Sequence, residues 1–191
     1  MDKEENKPVK TIEDLKKEAS PKNLKKIEEI IDNYSKHGIF PYETLQMTEE
    51  MFEAMYAHAY NFFQSGKYKK AIGYLMILNA LKPSDYRTLF ALAASHQHLK
   101  EYERASQYFV MCAIIQPKDP LCRFHLYFCF KQIAKYIPAL TAIEECVLYC
   151  ENKPGFNRLK NDALIEVKNF TAELKANPDL IKTTLFKGVS L

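Results

Sequence analysis

The stretch "EYERASQYFVMCAIIQPKD", residues 101–119, repeats the pattern of "KYKKAIGYLMILNALKPSD", residues 67–85, at a distance of 34 residues. The matching pairs are Tyr68 and Tyr102, Ala71 and Ala105, Tyr74 and Tyr108, Pro83 and Pro117, and Asp85 and Asp119. A third copy follows, because Tyr136 and Ala139 lie one more period along the chain. It ends differently, with Glu151 where the prolines stood and Pro154 three residues later. The chain therefore contains one unit three times, over residues 52–85, 86–119 and 120–153.

The repeated unit has the pattern of two helices. Apolar residues recur at spacings of three and four, the 191-residue chain has only five glycines, and no strand-like alternation is visible. A period of 34 residues is typical of tetratricopeptide repeats, in which each unit is a helix–turn–helix. We predict an all-α fold, with three such repeats in a curved solenoid, N-terminal helices and a C-terminal capping helix. Units of this kind bury their apolar faces only by stacking on one another.

Small residues and tyrosines recur at fixed places in the unit. Alanines at positions 59, 93, 71, 105 and 139 let the paired helices approach closely. Tyr68, Tyr102 and Tyr136 begin each second helix, where a ring can contact the neighbouring repeat. Pro83 and Pro117 end that helix, because proline cannot continue it.

The segments outside the repeats have their own signals. Residues 1–19 are charged and poor in apolar groups, which predicts a flexible N-terminus. Within residues 20–51, Ser20 and Pro21 indicate a helix start. That helix places Leu24, Ile27, Ile31 and Tyr34 on one stripe. We expect residues 154–176 to form the capping helix and residues 177–191 a tail.

Composition excludes several classes of protein. A net charge of +3, without a basic cluster, argues against binding to nucleic acid or to a membrane surface. No apolar run approaches the length of a membrane span, and the first residues do not resemble a signal peptide. We therefore expect a cytoplasmic protein without stable membrane insertion, whose five cysteines are small buried apolar residues.

Candidate chemical sites are weak. Cys122, His125 and Cys129 share one helical face, but a paired C-x-x-C hairpin is missing, so buried cysteine is the better interpretation. Phosphate-binding loops and the common hydrolase and metalloprotease motifs are also missing from the sequence. We expect no metal, no cofactor, no catalytic residue and no enzymatic activity.

The whole arrangement resembles a narrower family. An N-terminal helical segment, three tetratricopeptide repeats and a short final helix look like the class II chaperones of type III secretion systems. The stretch "YAHAYNFFQSGKYKKAIGYL", residues 56–75, is similar to the usual first repeat of that family. The resemblance implies a bacterial protein that binds hydrophobic translocator proteins and keeps them soluble and ready for export. It also implies that the N-terminal helices, with Leu24, Ile27, Ile31 and Tyr34, help to form a homodimer. The alternative for that apolar stripe is simple packing on the first repeat.

The repeat register predicts which residues line the concave side. Inward positions of the three first helices are Glu53, Tyr56, Tyr60 and Phe63, then Arg87, Phe90, Ala94 and Gln97, then Leu121, Phe124, Phe128 and Lys131. Six of these twelve residues are aromatic, which favours a binding groove over a core, because the register assigns the core to other positions. From this set we predict a peptide-binding site at Tyr56, Tyr60, Phe63, Phe90, Ala94, Gln97, Leu121, Phe124, Phe128 and Lys131.

The family resemblance implies what that site holds, namely an extended segment from the N-terminal region of the translocator. Rings offer a large contact area at low entropic cost, and tyrosine hydroxyls can bond to the peptide backbone. A general tetratricopeptide scaffold, joining folded cytoplasmic partners, is the alternative function. A clamp for a C-terminal carboxylate is disfavoured, because only Arg87 and Lys131 are cationic among the inward positions.

Overall fold

A computed structural model of the chain describes residues 41–180 and, before them, residues 25, 29, 32, 33, 36, 37 and 39. Contacts divide the chain into a unit of residues 1–49 and a unit of residues 50–191. In the first unit a short helical turn spans Pro41–Thr44. The predicted apolar stripe of Leu24, Ile27, Ile31 and Tyr34 lies outside the described residues.

Seven longer helices follow, and residues 41–180 contain no strand. They are α1 (Glu49–Gln64), α2 (Tyr68–Leu81), α3 (Tyr86–His98), α4 (Tyr102–Ile115), α5 (Pro120–Gln132), α6 (Tyr136–Cys150) and α7 (Asn157–Ala176), with a 3₁₀ turn over Pro154–Phe156 before α7. From α2 onward, each helix packs on the next one in the chain. The predicted all-α fold of three helix pairs and a further helix is confirmed.

The turn inside each pair is built in the same way three times. Gly66, Lys100 and Ala134, which are 34 residues apart, have left-handed φ angles of 72°, 61° and 57°. The next residue donates its backbone N–H back into the helix: Lys67 to Phe62 O, Glu101 to His96 O and Lys135 to Phe130 O, each at 2.9 Å. This is the Schellman helix end, which satisfies carbonyls that would otherwise lack a partner.

The start of the later first helices is also repeated. The carboxylate of Asp85 accepts a hydrogen bond from Thr88 N at 2.9 Å, and that of Asp119 accepts one from Leu121 N at 3.0 Å. Aspartate at this place satisfies free amides and complements the positive end of the helix dipole. The two Pro-x-Asp sequences therefore end one helix and begin the next.

The core lies between the paired helices. Every alanine that the sequence assigned to close packing (residues 59, 71, 93, 105 and 139) is fully buried. The tyrosines that begin the second helices contact the next first helix or α7. Tyr68 stacks on His98 at 4.4 Å, Tyr102 meets Phe128 at 5.9 Å, and Tyr136 meets Phe170 at 6.2 Å between ring centroids. The predicted close packing of the alanines is confirmed. The predicted contact with the neighbouring repeat is confirmed for Tyr68 and Tyr102, whereas Tyr136 contacts α7 instead of a repeat.

The third repeat departs from the pattern because it packs on α7. Tyr127 occupies the position that Ala59 and Ala93 hold in the earlier repeats, and it is buried. Its hydroxyl donates to Glu166 Oε2 on α7 at 2.5 Å, and its ring contacts Phe170 at 5.6 Å. A large residue is accommodated there because α7 is not a copy of the repeat.

Candidate functional site: the inner face of the repeats

The inner face, defined as the twelve inward positions of α1, α3 and α5, contains a cavity between α1 and α3. The volume of this cavity is about 250 Å³. Its lining residues are Tyr56, Tyr60, Phe63, Tyr86, Arg87, Phe90, Ala91 and Ala94. Tyr60 lies parallel to Tyr56 and to Phe63, with ring centroids 6.2 and 5.9 Å apart. These rings form an apolar wall that can receive an aliphatic or aromatic side chain.

The wall remains open to solvent rather than closing into a core. Tyr60 is 42% exposed, while Tyr56, Phe63 and Phe90 are half-buried. Partial burial raises the pKa of the Tyr56 hydroxyl above its ordinary value, and the group is a neutral donor near pH 7. A neutral hydroxyl beside an apolar cavity suits a guest whose backbone still needs hydrogen-bond partners.

On α5 the inner face continues as a shallower apolar surface. Leu121 is 39% and Phe128 40% exposed, and Phe124 is half-buried. Phe124 lies 6.4 Å from the ring of Tyr127, and Phe128 has its edge against Tyr102. The six aromatic residues of the inner face therefore all keep some exposed surface.

One ion pair stands at the rim of the cavity. Arg87 donates from Nη1 to Glu53 Oε2 at 3.0 Å and from Nη2 to Glu53 Oε1 at 2.5 Å, which joins α3 to α1. Its guanidinium also lies 5.1 Å from the ring centre of Tyr56. The hydrogen bond from Arg87 holds the pKa of the Glu53 carboxyl below its usual range, so the carboxylate is ionised at neutral pH.

Two other predicted site residues are engaged with distant parts of the chain. Gln97 Oε1 lies 2.8 Å from His125 Nδ1, which ties α3 to α5. Lys131 Nζ lies 3.1 Å from Glu173 of α7 and 4.8 Å from the ring centre of Phe170. Both side chains therefore join helices of the chain to one another. Their polar groups are already paired before any guest binds.

Two residues that line the cavity were missed by the repeat register. Tyr86 and Ala91 lie one position before and one after the expected places on α3. Tyr86 donates its hydroxyl to the Asp119 carboxylate, and burial is the main cause of its raised pKa. The doublet Tyr86 and Phe90, one helical turn apart, was the signal that could have revealed this residue.

The cysteine and histidine groups behave as core. All five cysteines are free and buried, as predicted, and burial raises the pKa values of Cys129 and Cys146 to about 12. Thiols with such pKa values stay protonated and unreactive near neutral pH. Within residues 41–180 and the few earlier described positions, no three His, Cys, Asp or Glu side chains come together as a metal site.

None of the helices in the described part of the chain is long and apolar enough to span a bilayer. Most of the large apolar residues that are exposed away from the inner face lie on second helices and α7, among them Met76, Ile114 and Leu148. The exceptions are Ile39 and Met51.

The chain is similar to several known proteins in sequence and in fold. The tetratricopeptide repeat family matches residues 53–85. Low calcium response locus protein H of Yersinia pseudotuberculosis is 28% identical over 114 residues, which cover 60% of this chain and 68% of the relative. Its counterpart in Yersinia pestis is 31% identical over 87 residues, which cover 46% of this chain and about half, 52%, of the relative.

Solved structures show the same architecture. SycD, the type III secretion chaperone of Yersinia enterocolitica, solved in complex with a peptide of the translocator YopD, superposes with a TM-score of 0.64 at 25% identity. The match covers 66% of this chain and 97% of SycD. PcrH of Pseudomonas aeruginosa, solved with the chaperone binding region of PopD, gives a TM-score of 0.64 at 26% identity, over 66% of this chain and 95% of PcrH.

Proposed function

We propose that this chain, which is similar in sequence and fold to the type III secretion chaperone SycD, binds a hydrophobic translocator protein and keeps it soluble until export. An extended segment from the N-terminal region of the translocator lies on the inner face, with apolar side chains in the cavity between α1 and α3. The mechanism is binding and release, and no covalent bond is made or broken.

The observation that supports this proposal is a set of six partly exposed aromatic residues on the inner face, four of which line an open cavity. These rings lie on three successive first helices and keep exposed surface, although the five alanines at the close-packing positions are completely buried. Exposed apolar surface of this extent is costly in water and typically marks a binding site. The ten predicted peptide-binding residues form our proposed site, with Gln97 and Lys131 acting mainly through the helices that they join.

Location and assembly complete the proposal. The chaperone acts in the bacterial cytoplasm, before its client reaches a membrane. Homodimers form through residues 20–51, with Leu24, Ile27, Ile31 and Tyr34 at the contact. The repeats of residues 52–153 and the helix of residues 154–176 form the client-binding body. A structure of an alternative SycD dimer shows that self-association occurs in a related protein.

Rescue of an unstable client tests the function. We expect co-expression of the chain to bring a membrane-active translocator of the same organism into the soluble fraction. Alanine at Tyr60, Phe90 and Phe124 together should abolish this rescue, because it removes anchoring surface from all three first helices. The measurement is the soluble fraction of the client, with circular dichroism to verify unchanged helical content.

The matched control carries three alanine substitutions on the outer surface, at Met76, Ile114 and Leu148, which are all exposed. We expect this variant to rescue the client fully. If the inner-face variant still rescues the client, the proposal that the client binds to the inner face is wrong. A scaffold for folded partners would instead bind a folded protein and rescue no client in any variant.

A further inference from the structure

The charged side chains of the inner face are all paired within the chain. Among the twelve inward positions, only Glu53, Arg87 and Lys131 carry a charge. Arg87 is bound to Glu53, and Lys131 to Glu173. Both cations of a surface that otherwise offers apolar groups are thus neutralised by carboxylates of the chain itself.

The Glu53–Arg87 pair stands at the rim of the cavity. Arg87 and Tyr56 line the cavity, and the guanidinium lies over the Tyr56 ring. Both charged side chains remain open to water, at 44% and 46% exposure. Exposed ion pairs contribute little to folding stability, so stability alone does not explain a two-point contact at this rim.

The two terminal nitrogens of Arg87 already have a carboxylate partner in the chain. Both terminal nitrogens donate to Glu53, and Asp85 Oδ1 lies 3.6 Å from Nη2. Lys82 is the other cation that acts on Glu53 electrostatically. A guanidinium binds carboxylates best through two parallel hydrogen bonds, and here Glu53 uses them. An acidic guest side chain at this place would meet an occupied fork and two carboxylates.

We propose that Glu53 is a specificity-determining residue, which restricts the bound segment to one without a carboxylate beside the side chain that enters the cavity. The proposal rests on the proposed function, since it concerns the same inner face. Without Glu53, Arg87 would become a receptor for acidic groups, because both terminal nitrogens would lose their hydrogen-bonded carboxylate and the rim would gain one positive charge, with only Asp85 still 3.6 Å from Nη2. Like-charge contacts of this kind select among partners more than they change overall affinity.

A peptide array identifies the probe. Synthetic peptides of about twelve residues, about 40 Å when extended, carry leucine, valine and phenylalanine at varied spacings on a serine background. The neutral peptide that binds the full chain best is then prepared in a series, with glutamate or glutamine replacing each serine in turn. Fluorescence anisotropy gives the dissociation constant of each member.

The wild-type chain should bind glutamate about tenfold more weakly than glutamine at one or two adjacent positions of the peptide. In Glu53→Gln, the ratio of the dissociation constants of the glutamate and glutamine peptides should fall to about two or less at those positions. At all other positions this ratio should stay unchanged. Glu173→Gln is the matched control, because it also replaces a carboxylate by an amide. That carboxylate lies on α7 and pairs with Lys131 of α5. This variant should leave the ratio at these positions unchanged.

Arg87→Gln is a second variant, which keeps Glu53 and removes the guanidinium. It should still bind the glutamate peptides more weakly than the glutamine peptides at these positions. A penalty that persists unchanged in Glu53→Gln, or one spread evenly over the peptide, would overturn the specificity role and leave the groove itself intact. If no neutral peptide on the array binds, the proposed function fails, and this inference fails with it.

Discussion

At the scale of single residues, His125 shows how the inner face is built on a partly buried polar contact. Its ring stacks on Phe109 with centroids 5.0 Å apart and meets the edge of Phe90 at 5.4 Å. Nδ1 faces Gln97. Burial, with a smaller contribution from His98, lowers the pKa of His125 to about 4. The neutral ring therefore joins α3 to α5 at physiological pH.

This pKa predicts that acid weakens the fold. Because the unfolded chain binds the proton with a pKa near 6.5, the stability due to neutral His125 is complete above that pH. It is lost as the pH falls towards about 4. Between pH 7.5 and 4.5, the free energy of unfolding measured with urea should fall by about 2 kcal/mol more for the wild type than for His125→Gln. Parallel curves for the two proteins would contradict the assignment.

At the scale of elements, the turns within the helix pairs carry a measurable strain. Gly66, Lys100 and Ala134 share the left-handed backbone, which costs a residue with a Cβ about 1–2 kcal/mol. Only the first repeat has glycine there. The other two retain the turn because the Schellman hydrogen bonds and the flanking helices fix it.

We predict that Ala134→Gly stabilises the fold by about 0.5–1 kcal/mol, because relief of strain exceeds the added freedom of the unfolded chain. Gly66→Ala should destabilise it by about 1 kcal/mol. The cost there is due to the backbone alone, since an added Cβ meets no atom within 4 Å. Thermal unfolding of the two variants measures both effects. Equal midpoints for Ala134→Gly and the wild type would refute the strain argument.

The helices were largely predictable because the same boundary residues recur in successive repeats. Proline, aspartate and tyrosine at fixed places mark where helices begin and end, and the observed helices follow these marks. The capping contacts were not predictable. Lys131 pairs with Glu173 and Tyr127 with Glu166 on α7, which is not a copy of the repeat, so no register relates these residues.

The site was predictable in outline and less so in detail. Alternate turns of α1, α3 and α5 were expected to face one surface, and the cavity between α1 and α3 is lined by five of the ten predicted residues. Tyr86 and Ala91 were missed because a fixed register ignores how far α3 is rotated against α1. Which of these residues contact a client stays a prediction.

At the scale of the whole molecule, the resemblance to class II type III secretion chaperones is confirmed by the related sequences and structures. The repeats present two surfaces with exposed apolar residues. On the inner face the partly exposed residues are mainly rings, four of which line an open cavity. The second helices expose mainly aliphatic side chains, among them Val110, Met111, Ile114 and Ile115 on α4. The central claim is that the client uses the inner face.

Site-specific photocrosslinking in the complex with a co-expressed translocator tests this claim most directly. Benzoylphenylalanine would replace Phe128 on the inner face or Ile114 on the outer surface, which are 40% and 73% exposed. Both positions accept the probe because both already face solvent. We predict a strong crosslink from position 128, mapped by mass spectrometry to the N-terminal region of the client, and none from position 114. A crosslink from position 114 alone would place the client on the outer surface and contradict the account.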